Sequence, residues 1–183
     1  MAERPVPEVE TTSSVVVYRN RWMVLREDTI AYADGSPGLY GVVEKNDFAV
    51  VAAVQDGRIH LVEQYRYAVG ARFWELPQGA SYDRDIDPLA LAHAELREET
   101  GLVAGAMTHA GRLFQGYGYS TQGYDVWLAT DLAQGPVALE REEQGMVARA
   151  FGLATFEAML LDGTIRDAST LAAFGLLRLR GLL

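Results

Sequence analysis

Three glutamates, Glu95, Glu98 and Glu99, lie in a segment from Asp87 to Gly101 that carries its own helix start and stop signals. Asp87 can cap a helix N-terminus with Pro88 in the first turn, and Gly101 can close it in the left-handed conformation. The segment therefore predicts a helix of roughly three and a half turns. On such a helix the glutamates stand at i, i+3 and i+4 and share one face. Leu89, Ala92 and Leu96 form a separate apolar stripe about a quarter turn away, expected to fix the helix on a core and hold the acidic face still. Like charges at this spacing destabilise an isolated helix by about 0.2–0.5 kcal/mol per pair, and no Lys or Arg shares their face. A hard cation would reverse the sign of that term. Carboxylate oxygens without Cys or His suit Mg2+ or Mn2+ rather than zinc. Because acidic residues on a surface helix are more often simply a solvated face, the surrounding sequence has to decide.

That surrounding sequence resembles the Nudix hydrolases, whose box reads Gly-x5-Glu-x7-Arg-Glu-(apolar)-x-Glu-Glu-x-Gly-(apolar). The tail, Glu95-Leu96-Arg97-Glu98-Glu99-Thr100-Gly101-Leu102, matches at every specified position. The front departs from it: the box arginine falls on Ala94, the box glutamate on Ile86, and Gly79 sits one residue too far away. In the family the two missing residues are understood to pair with each other and brace the loop. Losing both members of an ion pair can be nearly neutral, whereas losing one strands a charge, so the joint loss implies a swapped brace. Asp85 or Asp87 could take over part of the glutamate's role. Trp74-Glu75-Leu76-Pro77-Gln78-Gly79 reads as a strand ending in a Pro-Gly turn, which in this family delivers a backbone carbonyl, here that of Gln78, to the metal. Upstream, Leu61 to Tyr67 is similar to the preceding strand of the ADP-ribose pyrophosphatase branch. Downstream, Gly163 to Thr170 is similar to the turn before that branch's last helix. The resemblance spans about Val15 to Leu179.

It implies an Mg2+- or Mn2+-dependent hydrolase with Gln78, Glu95, Glu98 and Glu99 as metal ligands. The implied substrate is a nucleoside diphosphate sugar, ADP-ribose first, split to AMP and ribose 5-phosphate. The metal would neutralise the diphosphate, lower the pKa of a bound water and stabilise the leaving phosphate. In the branch a loop glutamate takes the water's proton, and Glu142 and Glu143 in the run Glu140 to Gly145 are the candidates, with Glu98 counted among the catalytic residues. The plain alternative for that run is a solvated loop. Arg66, Arg72 and Glu75 are expected at the substrate, although an arginine near a strand end is more often a surface ion pair. Trp74, Tyr117 and Tyr119 could stack on a purine, but aromatics in a sheet are mostly core. The loop Gln115 to Ser120 departs from the branch's Ser-Pro-Gly-Phe-Ser type. Its Tyr119 instead suggests a dinucleoside polyphosphate hydrolase as an alternative. A further alternative, motivated by the altered front of the box, is a non-catalytic nucleotide-sugar sensor of the same fold.

Composition agrees with one enzyme domain. A chain of 183 residues with 49% hydrophobic content can bury one substantial core, and no stretch is long and apolar enough for a membrane span. No signal peptide is read, and residues 1–13 are expected to be a flexible tail. Without cysteine, disulfides and thiol nucleophiles drop out and a reducing cytoplasm is the default. His60, His93 and His109 are scattered, so a zinc site is not expected. A formal charge of −9 argues against nucleic acid, while a small anionic substrate stays feasible if metal supplies the positive charge.

Strands are predicted at Val15 to Tyr18, Trp22 to Ile30, Leu39 to Glu44, Phe48 to Val54, Arg58 to Tyr67, Met107 to Phe114, Tyr124 to Thr130 and Met146 to Phe151. Turns are predicted at Asp34-Gly35 and Asp56-Gly57. Helices are predicted at Phe156 to Leu161 and Thr170 to Arg180. This order implies an α/β fold, an α/β/α sandwich around a mixed sheet, forming a single domain over 14–183. Residues 14–44 form an N-terminal antiparallel hairpin region with too little core of its own. In the resembling branch that hairpin packs across a dimer partner, which implies a homodimer.

Overall fold

The computed structural model describes residues 8–82, 85–135 and 145–183. Their contacts divide into two units, one of residues up to Asn46 together with Phe114–Gln122, the other of Asp47–Leu113 and Gly123–Leu183.

In the larger unit the acidic segment folds as read. Helix α1 spans Pro88–Thr100, the Asp87 carboxylate accepts from the Ala90 amide at 2.9 Å, and Gly101 closes the helix at φ 72°. The buried positions begin at Leu91 and continue through Ala92, Glu95, Leu96, Glu99 and Thr100. The expected apolar stripe thus needs correcting. Leu89 sits in the first turn, ahead of the part that packs, and is 39% exposed. The acidic face is not separate from the packed face either, because Glu95 and Glu99 lie within the buried arc.

That arc rests on a mixed sheet. Its strands are β4 (Phe48–Gln55), β5 (Arg58–Arg66), β6 (Ala71–Glu75), β7 (Gln78–Gly79), β8 (Leu102–Phe114), β9 (Gly123–Gln134) and β10 (Val147–Gly152). The order is β10-β5-β4-β9-β8, with β6 on β5 and β7 on β4. Strands β4 and β9 run parallel, whereas β5 is antiparallel to β4, β6 and β10. Successive side chains of a strand point to opposite faces, so the unbroken apolar run Ala49 to Ala53 feeds two cores at once. Ala49, Val51 and Ala53 join Leu91, Ala92 and Leu96 of α1 with Trp127 and Ala129. Val50 and Ala52 join Val126, Leu128, Phe156, Met159, Ala173 and Leu177. The last four come from α2 (Leu153–Leu161) and α3 (Ala168–Leu179), so the expected α/β/α sandwich is present. In helix α3, Leu171 and Leu179 face outward, whereas Ser169 and Thr170 face inward. Strand β8 starts at Leu102 rather than Met107, because the Gly101 cap turns the chain straight into it. The Asp56-Gly57 turn closes β4 onto β5 with both residues at positive φ, as a two-residue hairpin requires.

The smaller unit is a three-stranded antiparallel sheet, β1 (Val9–Arg19), β2 (Val24–Tyr32) and β3 (Pro37–Glu44). Several of its boundaries differ from expectation. The tail expected over 1–13 gives way to strand at Val9, which pairs with Tyr32 while Glu10 and Thr11 pair with Ala31 and Ile30. Backbone pairing at an exposed edge needs no apolar face, so a polar stretch with β-branched residues can serve. Strand β2 starts at Val24 because the Asn20 side chain accepts from the Trp22 and Met23 amides, both at 2.8 Å, and holds them in a turn. Residues 114–122 join this unit through the Val43 amide on the Tyr119 carbonyl, 2.8 Å, and the Thr121 amide on the Val43 carbonyl, 3.0 Å.

The register of α1 makes a direct prediction. Leu96→Ala should cost about 2–5 kcal/mol in urea unfolding, as for a fully buried leucine. Leu89→Ala should stay within about 0.5 kcal/mol of the parent, and equal losses at both positions would contradict this placement.

Candidate active site

Pro77 interrupts the β6 to β7 stretch, since a residue without an amide hydrogen cannot continue a ladder. The chain breaks at Leu76-Pro77 and resumes as β7, whose Gln78 and Gly79 pair with Val50 and Ala49 of β4. Onto this two-residue strand α1 directs two carboxylates. Glu99 Oε2 accepts from the Gln78 amide at 3.0 Å. Glu95 lies so close to Gly79 that a Cβ there would stand 2.1 Å from Oε2. A side chain at position 79 would therefore have to displace the Glu95 carboxylate. Glu95 is 8% and Glu99 3% exposed. The third glutamate behaves differently: Glu98 is 27% exposed at its side chain, with Oε1 3.7 Å from Arg97 Nη2.

Beside the turn, Glu75 at the end of β6 is almost fully buried. Gln64 Nε2 donates to its Oε1 at 2.7 Å, Arg66 Nε donates to Oε2 at 3.1 Å, and Arg66 Nη2 donates to Oε1. Burial pushes the Glu75 carboxyl above the usual carboxylate range, the Arg66 guanidinium opposes that shift, and the charge of Asp167 adds to it. Glu75 thus holds Arg66, whose side chain is 42% exposed. Arg72 follows the ion-pair alternative, with Nε on Glu63 Oε2 at 3.1 Å and Nη2 on the carbonyls of Glu63 and Gly145 at 3.0 and 2.8 Å. Trp74 follows the core alternative: its ring meets Phe151 edge-on at 4.9 Å and packs on the main core. Tyr117 and Tyr119 belong to the smaller unit, with exposed rings. Glu142 and Glu143 lie outside the described residues. Ile86, at the box glutamate's position, packs against the apolar cluster under α1. An apolar contact therefore stands where a carboxylate would have needed a partner.

Sequence reading missed a polar link between this turn and α3. Asp167 caps α3 by accepting from the Thr170 amide at 2.7 Å, and the same oxygen accepts from Gln78 Nε2 at 2.9 Å. Thr170 Oγ1 accepts from the Leu76 amide at 2.9 Å. The spacing Asp167-x-x-Thr170 signals a helix cap, but nothing local points to partners some ninety residues away. A second cluster also went unread: His109 Nε2 lies 2.7 Å and Arg112 Nη1 3.1 Å from the buried Asp125 carboxylate, and Arg112 also meets Asp47.

Among the described residues no three His, Asp or Glu side chains stand together as a group able to hold a metal ion. What fits a hard divalent cation is the donor chemistry, two carboxylates of one helix meeting one peptide turn. Among the same residues, no helix is long and apolar enough to cross a membrane.

A NUDIX domain model matches residues 45–174, and the chain belongs to the Nudix hydrolase family. A model described as the nucleoside diphosphate sugar hydrolase N-terminal domain matches residues 9–43. The chain is 32% identical over 167 residues to an ADP-ribose pyrophosphatase of Mycobacterium tuberculosis (strain ATCC 25618 / H37Rv), an alignment covering 90% of this chain and 81% of the relative. A crystal structure of an ADP compounds hydrolase superimposes with a TM-score of 0.86 at 19% identity, covering 98% of each chain, which shows the shared fold.

The buried Glu75 carries a pH signature. A carboxyl whose folded pKa is raised contributes stability that is complete below its unfolded pKa and is lost as pH rises through the folded one. Glu75→Gln cannot titrate. The stability of the parent relative to Glu75→Gln, from urea unfolding at a series of pH values, should therefore fall as pH rises from acid to neutral. A flat or opposite trend would contradict the burial-dominated environment.

Proposed function

We propose that this hydrolase cleaves the diphosphate of a nucleoside diphosphate sugar, ADP-ribose first, to AMP and ribose 5-phosphate, with Mg2+ or Mn2+. The observation that carries this reading is the meeting of Glu95 and Glu99, both buried, at the Gln78–Gly79 turn. Two like charges brought to one place by a single helix favour a divalent cation between them. Glu95, Glu98, Glu99 and the Gln78 carbonyl would hold it, and the cation would neutralise the diphosphate oxygens that otherwise repel a nucleophile. Nudix hydrolases generally use divalent metal ions, which supports the assignment.

The protein's own part is binding and proton movement. Arg66, held by Glu75 and Gln64 with its outer edge in solvent, is oriented to meet an anionic phosphate. Water adds to one phosphorus, the bridging P–O bond breaks, and the water's proton goes to a carboxylate, for which Glu142 or Glu143 is the candidate. The relative's name supports ADP-ribose as the first substrate to test. Tyr119 motivates dinucleoside polyphosphates as the second. The lack of cysteine supports a reducing, cytoplasmic setting. A homodimer through the N-terminal sheet is supported by β1, exposed along its whole length with Val15, Val16, Val17 and Tyr18 in a row.

A substrate panel with Mg2+ or Mn2+, reading released nucleoside monophosphate, tests this function. Turnover of ADP-ribose should vanish in EDTA. Glu99→Gln should lower the rate about a hundredfold or more, and Gly79→Ala about tenfold or more by displacing the Glu95 carboxylate, with both variants folded. Full activity in EDTA or in Glu99→Gln would sink the metal assignment, and binding without cleavage of any nucleoside diphosphate compound would favour a sensor.

If Glu142 or Glu143 is the base, replacing the right one with Gln should lower kcat by about 10²–10⁴-fold while barely moving KM. If both singles and the double stay within about threefold of the parent, the loop has no such role.

A further inference from the structure

We propose that Asp167 and Thr170, at the start of α3, are positioning residues for the hydrolytic site: together they set the orientation of the Leu76-Pro77-Gln78 segment on which α1 lands its glutamates. The inference rests on the metal site proposed above, and it adds α3 to the elements that shape that site.

A helix cap alone would account for one contact, the Thr170 amide on Asp167 Oδ2 at 2.7 Å. Two further donors meet the same oxygen. Thr170 Oγ1 donates to it at 2.8 Å, and Gln78 Nε2 donates to it at 2.9 Å. The Thr170 hydroxyl in turn accepts from the Leu76 amide at 2.9 Å. A relay therefore runs from the Leu76 amide through the Thr170 hydroxyl to Asp167 and back through the Gln78 side chain. It brackets Pro77 from both sides.

Besides the pairing of Gln78 with Val50 of β4, the segment's backbone is held by three hydrogen bonds. Pro77 has no amide hydrogen, so Leu76 and Gln78 supply its backbone donors. The first goes to Thr170 and the second to Glu99. The Pro77 carbonyl accepts from the Val51 amide at 2.9 Å. Three elements thus fix three successive residues: α3 fixes Leu76, β4 fixes Pro77, and α1 fixes Gln78, whose side chain returns to α3. Leu76 and Thr170 are fully buried and Gln78 nearly so. Water is not at hand to replace a lost partner, and an unmet buried amide would turn the peptide to find one. Any such turn would rotate the Gln78 peptide relative to Glu95 and Glu99. Catalytic geometry tolerates little displacement, and groups that orient metal ligands from behind typically matter 10–100-fold.

The test uses the full-length protein and three variants. Thr170→Val removes the hydroxyl at nearly constant shape, Thr170→Ser retains it, and Gln78→Met removes the side-chain amide while keeping the backbone carbonyl and the helix cap. Measured are kcat and KM on ADP-ribose with Mg2+, the Mn2+ dissociation constant by electron paramagnetic resonance, and hydrogen exchange at the Leu76 and Gln78 amides. Thr170→Val and Gln78→Met should each lower kcat and weaken Mn2+ about 10–100-fold, with KM within about threefold, and Thr170→Ser should recover most of both. Faster exchange at Leu76 should accompany the loss in Thr170→Val. If that variant fails to fold, Gln78→Met decides, since it leaves the cap's own bonds in place. Faster amide exchange with kcat and Mn2+ affinity both within about twofold of the parent would overturn the proposal and leave a structural cap. A parent that binds Mn2+ but cleaves no ADP-ribose would fail the substrate reading alone, and Mn2+ affinity across the variants would still decide the positioning role. A parent that binds no Mn2+ would overturn both.

Discussion

The buried hydrogen bond from the Gln78 amide to the Glu99 carboxylate, with Glu95 pressed against Gly79 beside it, is the contact to which the rest of the larger unit is fitted. A glycine at position 79 lets the Glu95 carboxylate lie against the backbone, where a Cβ would displace it. The break in the strand ahead of this contact is supplied by Pro77. Helix α1 approaches the sheet with acidic residues inside its packed arc, and the small residues Ala49, Ala53, Ala92 and Ala104 belong to the core cluster it shares with the sheet. The altered front of the Nudix box is compatible with this arrangement, since Ile86, where the box pattern has a glutamate, packs against the apolar cluster under α1. The carboxylates proposed to hold the metal come from the tail of the box, which is intact.

How much of this was legible in the sequence depends on the distance over which each interaction acts. Helix α1 was readable to the residue because its signals are local: Asp87 and Pro88 at one end and Gly101 at the other. The Asp56-Gly57 hairpin was readable for the same reason. The environment of Leu89 was not, since its spacing places it on the packed side while its position in the first turn leaves it beyond the packed stretch. Nor was the division between Glu98 and its two neighbours, because i, i+3 and i+4 look alike on a helical wheel until the sheet selects the buried arc. The Asp167 link joins residues that are distant in sequence, and only the folded sheet brings them together.

Residues of one type also took different roles that no spacing reveals. Arg66 and Arg72 lie near the paired ends of one hairpin. The first is held by a buried glutamate and keeps one edge in solvent, while the second is spent on Glu63 and two carbonyls. Trp74 and Phe73 are neighbours on β6 and point to opposite sides, which directs Trp74 into the core with Phe151. At the other end of the chain, the polar stretch from Val9 to Ser13 reads as a tail because patterning registers apolar faces and not backbone pairing. Its match to the nucleoside diphosphate sugar hydrolase N-terminal domain begins at the same Val9 where the strand begins.

The central claim, that α1 and the Gln78–Gly79 turn together form a divalent metal site, is tested most directly by anomalous diffraction from crystals grown with Mn2+. An anomalous peak within bonding distance of Glu95, Glu99 and the Gln78 carbonyl is the predicted result. A peak elsewhere on the chain, or none at saturating Mn2+, would contradict it.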